Sequence, residues 1–280
     1  MTDSIWLPDV DDYVPNKVRK AKTFYESDLL EHLFLCVPTG GIIVDVGANV
    51  GNHTTFFSKY MASLVVAIEP HPDTFRLLTS TVAQNRLANV LCIQSAAGCA
   101  SGRATLSLPK GFDGNTGSFC ITEGGLAQHP VEVPVDTLDA ILSEHLQDRQ
   151  PQITLIKIDV EGYEQQVLRG ARTILRTVKP HLVIEAKSSD ELRQLITDLT
   201  PLGYRRIGRF CATPTYHFAP WSAVHHFRFR LRRKFTDYVA QNFKQWKLLQ
   251  TIPNMYPVSR FGESEGSFAD FYVYAKQGVS

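Results

Sequence analysis

Residues 42–51 read Ile42-Ile43-Val44-Asp45-Val46-Gly47-Ala48-Asn49-Val50-Gly51, an apolar run that gives way, after a single acid, to a glycine-spaced loop. Such a short run of branched apolar residues suits a strand buried on both faces. Helical spacing follows over residues 54–61. Glycines at a strand-to-helix turn let the backbone come close to a ligand that a Cβ would block. The stretch therefore predicts the first βα link of an α/β fold, with a small ligand on its turn.

Outward from this link the alternation repeats. Strands are expected over 64–68 and 90–94, separated by a helix over 72–85 that opens on Pro72. A βαβαβ half of this kind is parallel and right-handed. Beyond it the pattern predicts a helix over 136–146, a strand over 153–158, a helix over 164–175, a strand over 182–186, a helix over 190–199 and strands over 204–210 and 268–276. Residues 102–135, rich in Gly, Thr and Ser, read as a strand followed by a long loop. Upstream, Phe24, Leu29, Leu30, Leu33 and Leu35 predict a lead-in helix over 21–36, ended by Pro38 and Gly40-Gly41. The expected organisation is one doubly wound α/β domain: helical lead-in 1–40, core 41–210, insertion 211–266, and last strand and tail 267–280.

A chain of 280 residues, 44% hydrophobic and 20% charged, can bury one sizeable core. Its 29 basic and 28 acidic residues give no overall bias toward nucleic acid or membrane. The basic charge is nevertheless local: ten basic residues lie between Arg205 and Lys247 against one acid, Asp237. Five of the seven residues from Arg228 to Lys234 are cationic, while Phe227, Leu231, Phe235, Tyr238, Val239, Trp246 and Leu249 fall in one helical stripe. The structural expectation is a packed helix with a solvated basic face. The functional alternative is a surface for an anionic acceptor or for peripheral membrane contact through Arg228–Lys234. Met1–Val14 carries four acids and no basic residue, unlike a secretory signal, and no stretch approaches the roughly 20 apolar residues of a membrane span, so a cytoplasmic protein is expected. Cys36, Cys92, Cys99, Cys120 and Cys211 are scattered among mostly apolar neighbours and read as buried thiols.

The turn does not complete a dinucleotide fingerprint: Asn49 stands where the middle glycine would be, and Asn52, His53 and Thr54 supply no third. An acid at Asp45 also suits a cationic ligand better than a pyrophosphate, because like charges repel strongly in a low-dielectric crevice. S-adenosylmethionine carries a sulfonium and an ammonium, and is the expected cofactor. Asp45, Gly47, Ala48, Asn49, Gly51 and Thr54 are expected to form its turn. Glu69, followed by Pro70, ends the second strand, where a carboxylate can accept both ribose hydroxyls. Ser95 and Ala96 offer small residues at the next strand tip for the adenine.

The fourth strand runs into Lys157-Ile158-Asp159-Val160-Glu161-Gly162-Tyr163-Glu164. Asp159 and Glu161 thus emerge in the crevice where open α/β sheets bind ligands. The dipole of the following helix accounts for Glu161 and Glu164 but not for Asp159. Asp159 and Glu161 are the candidate catalytic pair. Asp159 is the first choice for removing a hydroxyl proton, and a shared divalent metal such as magnesium is the alternative role of the two. His53, His71 and Lys187 are weaker candidate bases.

Asp45–Gly51, Ile68-Glu69-Pro70, Val135-Asp136-Thr137-Leu138-Asp139, IKIDVEGYE at 156–164 and Val167-Leu168-Arg169-Gly170-Ala171 together resemble the FkbM family of methyltransferases, over about residues 40–207. The resemblance implies an S-adenosylmethionine-dependent enzyme that methylates a hydroxyl of a sugar, glycan or small natural product. It also implies a Rossmann-like sheet of seven strands closed by an antiparallel hairpin, here 204–210 with 268–276. The chain departs from that pattern in the excursion between these two strands, longer than a hairpin needs, which is expected to help shape the acceptor site. The chain has neither an [ND]PP[YFW] signature nor a Pro-Cys pair, which speaks against methylation of nucleic-acid bases. An RNA ribose methyltransferase using Asp159 and Lys187, or a non-catalytic module that keeps the cofactor and docks an anionic partner, are the alternatives.

Overall fold

The computed structural model describes residues 6–21, 23–108, 120–121, 128–210, 214–220, 255–257 and 273–275. Two helices, α1 (Tyr13–Ala21) and α2 (Ser27–Cys36), precede the first strand, β1 (Ile42–Val46). Then come α3 (Asn52–Tyr60), β2 (Leu64–Ile68), α4 (Pro72–Gln84) and β3 (Val90–Ile93). Strands β4 (Ala96–Gly98), β5 (Gly102–Leu108), β6 (Cys120–Ile121) and β7 (Gln128–Thr137) lead into α5 (Leu138–Leu146). Alternation resumes with β8 (Ile153–Ile158), α6 (Glu164–Arg169), α7 (Arg172–Thr177), β9 (His181–Glu185), α8 (Ser189–Leu199), β10 (Tyr204–Phe210) and β11 (Thr215–Pro220). Two short strands remain, β12 (Met255–Pro257) and β13 (Val273–Ala275).

The main sheet has seven strands in the order β10-β11-β9-β8-β1-β2-β3. β1 is parallel to both neighbours, β2 and β8, and all five of its residues are buried, which is why its sequence is an unbroken apolar run around one acid. Alternate side chains serve opposite faces. Val44, Val46, Ile156 and Ile158 pack with α5, α6, α7 and α8, while Ile43, Val65, Leu155 and Val183 pack with α2 and α3. The chain leaves β1 in one direction toward β3 and, after β8, in the other toward β9. The reversal falls between β1 and β8, where an open sheet parts its loops into a crevice.

Several expectations change. The closing hairpin pairs β10 with β11, and β11 also pairs antiparallel with β9. The expected partner, 268–276, is described only over Val273–Ala275, which pairs instead with Met255–Pro257 in a separate two-stranded sheet. Thr215–Pro220, counted with the insertion, therefore belong to the core sheet, paired on both sides by β10 and β9. Residues 102–135 are more than a strand and loop: β4, β7, β5 and β6 form a second, four-stranded sheet.

The expected helix over 164–175 breaks at Gly170-Ala171 because Gly170 packs against the Gly98 carbonyl, where any Cβ would clash. The Asp139 carboxylate accepts the amide N–H groups of Thr173 and Ile174 at 2.8 and 3.0 Å, starting α7 afresh. The lead-in is likewise two helices, with Glu26 in the left-handed conformation at their corner. The four described cysteines are free thiols but not fully buried as expected: Cys36, Cys92 and Cys120 are half-buried and Cys99 is exposed. Among the described residues no helix is long and apolar enough to cross a membrane. The basic run Arg228–Lys234 and the apolar stripe from Phe227 to Leu249 lie outside the described residues.

Candidate active site

The tips of β1, β2, β8 and β9 open on a cavity of about 330 Å³. Gly47, Asn49, Glu69, Pro70, Ser95, Ala96, Asp159 and Glu161 all line it, so most of the expected site residues meet in one place. Asp45, Ala48, Gly51 and Thr54 do not reach its wall.

The reason lies in the turn. Asp45 is fully buried, accepts the Thr54 hydroxyl at 2.7 Å and faces Lys157 Nζ at 3.2 Å. Its charge is thus answered from within the protein. Gly47 is needed because its φ is 76° and because a Cβ there would run into the Asp159 carbonyl oxygen. Gly51, at φ 92°, would bring a Cβ within 2.9 Å of Leu78 Cδ1. Both glycines serve the close packing of the two strand-tip loops and the turn itself, and Gly47 also lines the cavity.

Glu69 is the best-defined ligand-facing group. Its carboxylate accepts the amide N–H of Asn49 at 3.0 Å and that of His71 at 2.9 Å, which fixes its direction at the cavity wall. Burial pushes its pKa up to about 7, against the opposing pull of those two amides. Asn49 itself has a left-handed backbone, and its side-chain oxygen is buried without a hydrogen-bond partner among the described residues.

At the β8 tip, Lys157 is the residue whose importance the sequence did not disclose. It is buried, and its Nζ lies 3.2 Å from the Gly47 carbonyl, 3.2 Å from Asp45 and 3.4 Å from Asp159. Glu161, in a left-handed backbone, pairs with Lys187, whose Nζ also stands 3.7 Å from Glu185. Glu185, the last residue of β9, was not among the expected site residues. It lines the cavity, and burial with the neighbouring charge of Asp159 holds its proton well above the ordinary carboxylate range. Glu164 turns away from the cavity chemistry: its carboxylate accepts the N–H groups of Val160 and Gly162 and secures the loop.

The weaker candidates separate. Lys187 is on the wall, His53 faces Glu26 at 3.2 Å, and His71 sits behind Glu69 near Thr74. Among the described residues no group of three or more His, Cys, Asp or Glu side chains is arranged to hold a metal ion. Five carboxylates (Glu26, Glu69, Asp159, Glu161 and Glu185) face the cavity against one lining lysine, Lys187. The electrostatic preference for a cationic ligand therefore holds, but it comes from these five and not from Asp45. An acid-lined pocket with an oriented carboxylate at the β2 tip and an unpartnered amide oxygen at the turn fits S-adenosylmethionine.

The Methyltransferase FkbM domain pattern matches residues 45–206, more than half of the chain. The chain is 26% identical over 216 residues to a methyltransferase, sdnD, of Sordaria araneosa, covering 67% of this chain and 82% of that one. It is 27% identical over 190 residues to the hexuronic acid methyltransferase AglP of Haloferax volcanii, covering 62% and 74%. A solved methyltransferase FkbM of Methylobacillus flagellatus is similar at 22% identity and a TM-score of 0.48, over 64% of this chain and 43% of that one, so the chain spans less than half of that structure's length.

Proposed function

The chain belongs to the FkbM methyltransferase family, and within it we propose that this protein moves a methyl group from S-adenosylmethionine to a hydroxyl of a sugar or small natural product. The observation that carries this reading is the single cavity in which Glu69, Asn49, Asp159 and Glu185 meet at the sheet's reversal point. Bound there, S-adenosylmethionine would supply an electrophilic methyl on a positively charged sulfur.

The protein's own residues then have two tasks, alignment and proton removal. Glu69 would take the ribose hydroxyls, with Asn49 beside it and Ser95 and Ala96 leaving flat space for the adenine. Asp159, whose side chain is 37% exposed, reaches the cavity while Lys157 holds it from below. Burial holds the Glu185 proton well above the ordinary carboxylate range, and Asp159, which lines the cavity 3.4 Å from the Lys157 ammonium, is the proposed base. The acid lining disfavours RNA, whose phosphates would meet the same repulsion.

The hexuronic acid methyltransferase among the relatives favours a sugar acceptor. The test is a screen of glycan and small-molecule extracts for S-adenosylhomocysteine release. The reading expects release with a hydroxylated acceptor and a large fall in turnover, at nearly unchanged cofactor affinity, for Asp159→Asn. Equal losses of turnover and cofactor affinity would move Asp159 into the cofactor site instead.

A further inference from the structure

The corner between α1 and α2 lies before the family-matched region, yet Tyr13, Val14, Tyr25 and Glu26 form one wall of the cavity. It is fastened to the start of α3. The Asn52 side chain accepts the Tyr25 N–H at 3.0 Å and returns its own N–H to the Tyr25 carbonyl at 3.1 Å. The next residue, His53, faces the Glu26 carboxylate at 3.2 Å, with both side chains about nine-tenths buried. Glu26 is also held with φ at 57°, a left-handed conformation that a residue other than glycine adopts at some cost.

We propose that Glu26 is a cofactor-binding residue that receives the ammonium of the methionine end of S-adenosylmethionine. The inference rests on the cofactor reading above and follows from the order of the strands. Glu69 at the β2 tip and Ser95-Ala96 beyond β3 take the adenosine end. Asp159 at the β8 tip takes the acceptor side. The strand between them is β1, so the amino-acid end belongs over the β1–α3 turn.

That is where Glu26 is anchored, through His53 of α3. Its charge also reaches Lys157 beneath the boundary of β1 and β8. A carboxylate there, its side chain about nine-tenths buried, can accept a charge-assisted hydrogen bond from an ammonium.

The test uses two ligands that differ in the amino-acid end. S-adenosylhomocysteine has the ammonium, while 5′-methylthioadenosine keeps the adenosine and thioether but lacks the amino-acid end. Calorimetry on the full chain is expected to show Glu26→Gln weakening S-adenosylhomocysteine about tenfold or more, as for loss of a hydrogen bond to a charged group, and leaving 5′-methylthioadenosine within about twofold. Glu26→Asp, which keeps the charge on a shorter stem, serves if the first variant does not fold, and should also lose selectively for S-adenosylhomocysteine. Equal losses for both ligands, or none for either, would overturn the assignment of Glu26 while leaving the cofactor reading intact. A wild-type protein that binds neither ligand would overturn both.

Discussion

Lys157 Nζ stands 3.2 Å from Asp45 and 3.4 Å from Asp159, so a single buried ammonium joins the cofactor turn to the tip of the strand that carries the proposed base. Burial alone would lower the lysine's pKa. The charges of Asp45 and Asp159 outweigh that and raise it, so it stays protonated.

Removing one partner of a buried pair leaves a bare charge. Lys157→Met is therefore expected to destabilise the fold by about 3–5 kcal/mol, because Asp45 is left buried beside an apolar group. The double variant Asp45→Asn with Lys157→Met should recover a substantial part. Urea unfolding of the wild type, the two single variants Asp45→Asn and Lys157→Met, and the double variant checks this, and additive losses would mean that the two residues do not act as a pair.

Gly47→Ala is expected to be worse than Gly51→Ala. At Gly47 the new Cβ meets the Asp159 backbone, which cannot yield without moving the strand tip; at Gly51 it meets the ends of the Leu78 and Thr81 side chains. Both positions have left-handed backbones, which cost about 1–2 kcal/mol for an L side chain. Melting temperatures and S-adenosylhomocysteine affinity, measured on both variants, should rank them in that order.

Glu69 sets an expected pH dependence. Its carboxyl titrates at about 7 in the folded protein against an ordinary 4.5. Between those values the native state holds a proton that the unfolded chain has released, so this group makes folding less favourable as pH rises through that window. Ribose hydroxyls donate to the ionised form, so cofactor affinity should do the opposite. It should rise by up to tenfold per pH unit below about 7 and level off above it. Calorimetry with S-adenosylhomocysteine from pH 6 to 8 should give this curve for the wild type and a flat one for Glu69→Gln.

A chain of three imidazoles predicts acid sensitivity elsewhere. His217 of β11 is hydrogen-bonded to His32 of α2 at 2.9 Å and to His181 of β9 at 2.8 Å. Burial and the nearness of His181 lower the pKa of His32 to about 3, and burial lowers that of His217 as well. Below the ordinary histidine value of 6.5 the unfolded chain gains protons that the native one refuses, so stability falls as pH drops from about 6.5. Each such histidine contributes a slope of about 1.4 kcal/mol per pH unit. His32→Phe should make the fall shallower by one such step in urea unfolding at successive pH values, and an unchanged slope would count against it.

The order of strands was legible because β1, β2, β8 and β9 are buried on both faces and so carry continuous apolar runs. The cavity-facing residues were legible for the same reason: strand ends in a doubly wound sheet have known places. Lys157 was not, because a lysine inside a strand reads as surface until its partners Asp45 and Asp159, over a hundred and two residues away, fold around it. Glu185 was hidden inside a run taken only as strand. Glu26 was hidden in what read as a single lead-in helix. The second sheet escaped notice because its strands are mixed in composition and paired over long separations, as β4 is with β7.

The hairpin was misplaced because Phe268–Lys276 has the stronger apolar pattern, whereas β11 includes His217, which is buried only through its neighbouring histidines.

The most direct test of the account is a crystal structure of the protein with S-adenosylhomocysteine. The expected result is one ligand in the cavity at the tips of β1, β2 and β8, with its ribose hydroxyls on the Glu69 carboxylate and its sulfur toward Asp159. A ligand bound elsewhere, or one whose ribose does not touch Glu69, would contradict it.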